Sequence, residues 1–180
     1  LERKLLALGL HTYVLDGDSV RTGLNKDLGF TPEDRAENVR RVAETAKLMV
    51  DAGLIVVVSL VSPFRGDRRA AKGLFDEGDF LEVWVDTPAD VVVERDPKGL
   101  YAKAKAGTLP NMTGVGQGYE PPEHPDVVVS GDGDVDGLAE DAVQNVDRDQ
   151  RRDRPRTVAV EGAGAQHHEI GDERSKDDDS

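Results

Sequence analysis

Two carboxylates and an arginine follow the first apolar run of the chain, in the stretch LDGDSVRTGLNKDLGF at 15–30. Asp16 and Asp18 flank one glycine, and Arg21 comes three residues later. The planar guanidinium group of arginine can donate two hydrogen bonds to a phosphate or sulfate-like oxyanion. Further arginines follow at Arg35, Arg40 and Arg41. These residue types predict an oxyanion-binding site at the end of the first strand, in preference to a simple polar turn.

Strands and helices alternate along the part of the chain that must position these residues. Apolar runs at 11–16, 54–61 and 80–86 predict strands, and the amphipathic stretch 31–53 predicts a long helix. Further elements are predicted as helices at 63–78, 88–96, 98–107 and 134–146 and a strand at 124–133. This alternation predicts a parallel α/β sheet.

Polar side chains follow the three main predicted strands, where ligands of open α/β sheets bind. They are Asp16 and Asp18, Ser59 and Ser62, and Asp86 and Thr87. Asp and Ser also favour turns for purely structural reasons, and for Asp86 a turn explains the residue equally well. The cluster of arginines favours a functional interpretation for Asp18 and Arg21.

Composition limits the classes of function. The 180 residues carry a net charge of −13, which argues against nucleic-acid partners, and 37% are hydrophobic, enough for one modest core. Cysteine is absent, which excludes disulfides and thiolate metal sites. No apolar run reaches the length of a membrane span and no secretory signal is evident, so we expect a cytoplasmic protein without a membrane partner.

The chain is expected to form one domain over 1–146, followed by a disordered charged tail over 147–180. The short apolar patch TVAV within that tail is not expected to join the core. His167 and His168 lie in the tail without a further ligand pattern, so we interpret them as solvated residues and not as a metal site.

Two loop motifs are weak. The stretch DGDVDG places Asp132, Asp134, Asp136 and Gly137 at EF-hand spacing, but Val143 stands at the twelfth position, where calcium binding requires glutamate. An acidic surface turn explains it better. The glycine-rich GVGQG at 114–118 does not follow a strand, and G-x-x-x-x-G-K-[ST] occurs nowhere in the chain.

Three blocks in order carry a resemblance to a known family. The block LDGDSVRTGLNKDLGFTPEDRAENVRRVAETAKLMVDAGLIVVVSLVSPFRGDRR, followed by VDTPADVVVERDPKGLYAKAKAG and MTGVGQGYEPPEHPDVVV, closely resembles the adenylylsulfate (APS) kinases over about residues 1–130. The resemblance implies a P-loop kinase-like three-layer fold with a parallel sheet. It also implies transfer of the γ-phosphoryl group of ATP, bound with Mg²⁺, to the 3′-hydroxyl of adenylylsulfate, which gives PAPS in sulfate assimilation.

The resemblance also implies roles for individual residues. Asp18 matches the carboxylate near the acceptor hydroxyl, and Ser62 matches a pocket serine that we count with the catalytic residues. The remaining substrate-binding positions matched are Arg21, Phe30, Arg35, Asn38, Val61, the lid lysine Lys98, and Asn111 and Met112 near the adenine. The departures are Ser19, Thr22 and Met112, which stand where asparagine, histidine and phenylalanine are usual.

The family's first strand and Walker A loop have no counterpart in this sequence. That loop grips ATP, so we expect little or no kinase activity from this chain alone, and we expect apolar neighbours of the missing strand to be exposed. The alternative is a catalytically dead remnant that binds a nucleotide or a protein partner. The assembly that the resemblance implies is a homodimer or a fusion with a sulfurylase subunit.

Overall fold

The computed structural model describes residues 1–96, 118–130 and 157–161, together with positions 99, 101, 103, 106, 107 and 143. The predicted helices 98–107 and 134–146 fall largely outside the described residues. The acidic stretch DGDVDG at 132–137, interpreted as a surface turn, and the residues His167 and His168 also lie outside the described residues.

Ten elements lie within the described part of the chain. The helices are α1 (Glu2–Ala7), α2 (Gly17–Thr22), α3 (Pro32–Asp51), α4 (Arg65–Lys72) and α5 (Ala89–Arg95). The strands are β1 (Thr12–Asp16), β2 (Ile55–Leu60), β3 (Phe80–Asp86), β4 (Val127–Ser130) and β5 (Thr157–Glu161).

The five strands form one sheet in the order β1-β2-β5-β3-β4, and every neighbouring pair is parallel. The predicted parallel α/β architecture is therefore confirmed. Asp16 at the end of β1 lies opposite Ser59 on β2, and Asp86 ends β3 at the same edge. The carboxyl ends of the strands thus bring these polar groups to one edge of the sheet.

Strand β5 corrects the prediction of a disordered tail at residues 157–161. Thr157–Glu161 lies between β2 and β3 at the centre of the sheet, with Thr157 opposite both Val56 and Phe80. Val158 is fully buried in the core. The prediction that this patch stays outside the core is wrong, and the inner edges of β2 and β3 are paired with β5. A β-branched run fits a slot that is covered on both faces.

Helix α3 covers one face of the sheet and carries two of the proposed site residues, Arg35 and Asn38. Thr31 caps its first turn, because its hydroxyl oxygen accepts a hydrogen bond from the Asp34 amide, and Pro32 occupies the first helical position. Its apolar side chains Val42, Ala46 and Val50 pack with β2. No helix in the described part of the chain is long and apolar enough to span a membrane.

Candidate functional site

The two carboxylates after β1 have different surroundings. Asp16 is the N-cap of α2, and its Oδ2 accepts hydrogen bonds from the backbone amides of Asp18 at 3.0 Å and Ser19 at 3.2 Å. Asp18 lies exposed in the first turn of α2. The geometry therefore assigns Asp16 to the helix start and leaves the Asp18 carboxylate at the edge of the sheet.

Arg21 lies in the last turn of α2, and its side chain packs against the loop that follows. Its Nη1 donates to the carbonyl oxygens of Gly29 at 2.8 Å and Leu28 at 3.4 Å. Its guanidinium carbon lies 4.4 Å from the centroid of the Phe30 ring. The loop thus fixes the charge of Arg21 over an aromatic face.

Arg35 approaches the same ring from α3. Its Nε donates to the Phe30 carbonyl at 3.3 Å, and its guanidinium carbon lies 5.6 Å from the ring centroid. The Arg35 residue is 8% exposed. Two arginines from different helices therefore share one phenylalanine.

Burial and like charge make this pair electrostatically unusual. Burial lowers the pKa of Arg35, and the nearby positive charge of Arg21 lowers that pKa further. Burial also lowers the pKa of Arg21, while the carboxylates of Asp34 and Asp18 partly oppose this shift. Two like charges held together in a partly buried place favour a bound anion, and the planar guanidinium fork matches sulfate or phosphate oxygens.

Asn38 lies one turn beyond Arg35 on α3 and is 4% exposed. Its Oδ1 accepts a hydrogen bond of 3.0 Å from the Nδ2 of Asn25, a residue of the loop after α2 that is fully buried. On the surface, the loop is also held to α3 by the Arg41 guanidinium, which donates to both carboxylate oxygens of Asp27 at 2.8 and 2.9 Å.

Ser62 follows β2 and is held by a buried arginine. Ser62 is 5% exposed, whereas the neighbouring Val61 is 44% exposed. Arg68 on α4 donates to the Ser62 carbonyl at 2.7 Å, to the Glu120 carbonyl at 2.7 Å and to the Glu82 carboxylate at 3.1 Å. One guanidinium therefore joins the end of β2, strand β3 and the segment that leads into β4.

The structure brings together a subset of the residues that the sequence proposes. Arg21, Phe30 and Arg35 are in contact, and Asn38 lies on the next turn of α3. The residues Asp18, Val61 and Ser62 follow the neighbouring strands β1 and β2 at the same edge of the sheet. Lys98, Asn111 and Met112 lie outside the described residues.

Two residues that are important for the structure of this site were not predicted from the sequence. Asn25 and Arg68 are both polar and almost completely enclosed. An asparagine in a glycine-containing loop normally indicates a turn, and an arginine in a charged helix normally faces solvent. Only the flanking apolar residue Ala71, three positions beyond Arg68 and also buried, hints that this face of α4 points inward.

Among the residues that the structure describes, no group of three or more His, Cys, Asp or Glu side chains is arranged to hold a metal ion. Mg²⁺ that arrives with a nucleotide is usually held by the substrate phosphates, water and one or two protein carboxylates, so it does not require such a cluster.

The parallel sheet with its helices, together with its likeness to solved APS kinase structures, gives this chain a P-loop kinase-like α/β fold. The chain belongs to the adenylylsulphate kinase family, whose family model matches residues 1–130.

Individual relatives agree with this family. The bifunctional enzyme NodQ of Rhizobium meliloti (strain 1021) is 64% identical over 127 residues, which are 71% of this chain and 20% of that protein. The adenylyl-sulfate kinase of Aeromonas hydrophila subsp. hydrophila is 58% identical over 127 residues, 71% of this chain and 64% of that protein. The chain therefore spans about a fifth of the length of NodQ.

Among solved structures, the Mycobacterium tuberculosis APS kinase CysC in complex with AMPPNP and APS matches with a TM-score of 0.78 and 44% sequence identity. The match covers 81% of this chain and 86% of that one.

Proposed function

We propose that this chain supplies the acceptor-binding part of an adenylylsulfate kinase. Such an enzyme transfers the γ-phosphoryl group of ATP to the 3′-hydroxyl of adenylylsulfate and releases PAPS. The observation that carries the proposal is the pair Arg21 and Arg35 on the ring of Phe30, which forms a fixed positive site for the phosphosulfate group. Family membership supports the identity of the acceptor.

The proposed roles follow from the surroundings of each side chain. Arg21 and Arg35 bind the phosphosulfate oxygens, and Asn38 adds an amide donor beside them. Asp18, whose neighbour Asp16 is engaged in capping α2, orients the acceptor hydroxyl and receives its proton as the phosphoryl group arrives. Val61 and Ser62 line the acceptor pocket from the end of β2.

The phosphoryl donor is proposed to be ATP as its magnesium complex. A Walker A lysine and hydroxyl would hold its phosphates, and no G-x-x-x-x-G-K-[ST] stretch occurs in these 180 residues. Lys98, Asn111 and Met112 are proposed lid residues. The experiment that tests the acceptor site should therefore measure binding and not turnover.

Isothermal calorimetry of adenylylsulfate with the 180-residue chain tests the proposal. We expect binding that weakens at least tenfold in Arg35→Ala, since a hydrogen bond to a charged group is worth about 1.5–3 kcal/mol. Arg40→Ala is the matched control, because Arg40 is an exposed arginine on the same helix that pairs with Glu37. AMP, which lacks the sulfate group, should bind more weakly than adenylylsulfate.

Three results would contradict the proposal. They are an absence of adenylylsulfate binding by the folded chain, an equal loss in Arg35→Ala and Arg40→Ala, and equal affinity for AMP.

A larger assembly is a second proposal. NodQ and CysN/CysC relatives are bifunctional enzymes, of which this chain covers about a fifth. We propose that the domain works beside a sulfurylase in such a protein. A homodimer and a cytoplasmic location stay predictions from the resemblance and the composition.

A further inference from the structure

A buried asparagine pair joins the loop after α2 to helix α3. Asn25 is 0% exposed, and its Nδ2 donates to the Oδ1 of Asn38. The Oδ1 of Asn25 is buried and has no hydrogen-bond partner among the residues that the structure describes. Burying an unpaired amide oxygen destabilises the fold, so stability alone does not favour asparagine here.

The polarity of this hydrogen bond has a chemical consequence for Asn38. A side-chain amide has one accepting end and one donating end, and rotating it by half a turn exchanges them with little change in shape. Because its Oδ1 accepts from Asn25, the Nδ2 of Asn38 is the end left for another partner. A phosphosulfate group offers only acceptor oxygens, so the donating end is the one that can bind it.

The loop that carries Asn25 is itself well fixed. The Asn25 backbone amide donates to the Val20 carbonyl at 2.8 Å, and its carbonyl accepts from the Leu28 amide at 3.1 Å. The Asp27–Arg41 ion pair ties the same loop to α3. Asn25 is therefore held firmly enough to determine the orientation of its neighbour.

We propose that Asn25 is a positioning residue that orients the amide of Asn38, so that its Nδ2 group faces the bound oxyanion. This inference rests on the proposed function, because it concerns the same acceptor site. Asn25 itself does not touch the substrate. Its contribution to affinity passes entirely through Asn38, which makes the inference testable by a double-mutant cycle.

The experiment measures adenylylsulfate binding to the full 180-residue chain by calorimetry. The single variants are Asn25→Leu, Asn25→Asp and Asn38→Ala. Each Asn25 variant is also combined with Asn38→Ala, and all are compared with wild type. Leucine has a similar size and removes the donor. Aspartate replaces the donor with an acceptor and draws the Asn38 Nδ2 away from the ligand. Asp27→Ala is the control, since it loosens the same loop at the surface and leaves the asparagine pair intact.

We expect Asn25→Leu to weaken binding severalfold and Asn25→Asp to weaken it about tenfold or more. In the Asn38→Ala background Asn25→Leu should have no further effect. In the same background, Asn25→Asp should still weaken adenylylsulfate binding, but only by the smaller amount that its added negative charge causes. Asp27→Ala should lower the melting temperature without changing the affinity measured well below it. If Asn25→Asp does not fold, the cycle with Asn25→Leu decides alone.

Two sets of results would contradict these expectations, and they are distinguishable. Unchanged affinity in Asn25→Leu, or an equal loss with and without Asn38, overturns this inference while the proposed function stands. No adenylylsulfate binding by the folded wild-type chain overturns the proposed function and the inference with it.

Discussion

The guanidinium of Arg21 lies over the face of Phe30, with its carbon 4.4 Å from the ring centroid. Phe30 is half exposed, so its ring serves the two arginines more than the core. We expect Phe30→Leu to weaken adenylylsulfate binding severalfold, since a cation–π contact is worth about 0.5–2 kcal/mol. Calorimetry measures this effect. Leu24→Ala, at an equally exposed site of the same loop, should leave the affinity unchanged; a comparable loss there would refute the special role of the ring.

Stability should depend on pH through Glu37. Hydrogen bonds from Arg40 and Arg41 lower the pKa of Glu37 to about 2, from an ordinary value of 4.5. A carboxylate whose pKa is lowered by folding stabilises the folded state at any pH above its ordinary pKa. This contribution to stability is lost as the pH falls towards 2. We expect urea unfolding to show a smaller loss of stability between pH 5 and pH 2.5 in Glu37→Gln than in wild type.

Thr45→Ala is the control for this pH dependence, because it changes a neutral side chain on the same helix. It should keep the wild-type dependence on pH. An unaltered pH dependence in Glu37→Gln would show that this carboxylate gains nothing from its two arginines in the folded state.

Substitutions at two adjacent positions of the central strand β5 should have opposite effects on stability. Val158 is fully buried, so Val158→Asp places an unpaired charge in the core and should prevent cooperative unfolding or lower stability by more than about 4 kcal/mol. Thr157 is also buried, and its hydroxyl has no hydrogen-bond partner within the described part of the chain. Thr157→Val should therefore be neutral or stabilising. Thermal unfolding followed by circular dichroism measures both, and a stable Val158→Asp chain would mean that β5 is not part of the folded sheet.

Arg68 and Glu82 form an ion pair with side chains 4% and 13% exposed. Removing one partner of a buried pair leaves the other charge uncompensated, so Arg68→Met should destabilise the fold by about 3–5 kcal/mol. Adding Glu82→Leu should restore part of this loss. The rest should remain, because Arg68 also donates to the Ser62 and Glu120 carbonyls. Urea unfolding of the two single variants and the double variant tests this; a loss below about 1 kcal/mol in Arg68→Met contradicts it.

The elements with strong local signals could be predicted from sequence. Strand β3 begins and ends at the predicted residues, and β1, β2 and α3 differ from prediction by one or two residues at their ends. Their apolar periodicity and the capping residue Thr31 are local properties, which sequence patterns report well. The fold class follows from the order of these elements.

The remaining features depend on contacts between distant parts of the chain. Helix α2 has six residues, too few to show a helical period, and it starts because Asp16 caps it. Strand β5 is a short apolar patch in a charged stretch, and its pairing with β2 and β3 is not visible in its own composition. The buried positions of Asn25 and Arg68 arise from tertiary packing against α3, β3 and the 119–121 segment.

The position of β5 also determines when the chain can finish folding. Strands β1 and β2 form one parallel ribbon and β3 and β4 another, and β5 is the strand that joins them. A chain emerging from a ribosome can therefore assemble both ribbons early but cannot close the sheet until residue 161 has been made. Until then β2 and β3 each present an open edge, the kind of surface that invites aggregation and chaperone binding. Closure of the sheet is thus expected to be a slow step, because it brings residues 157–161 back between two strands made much earlier.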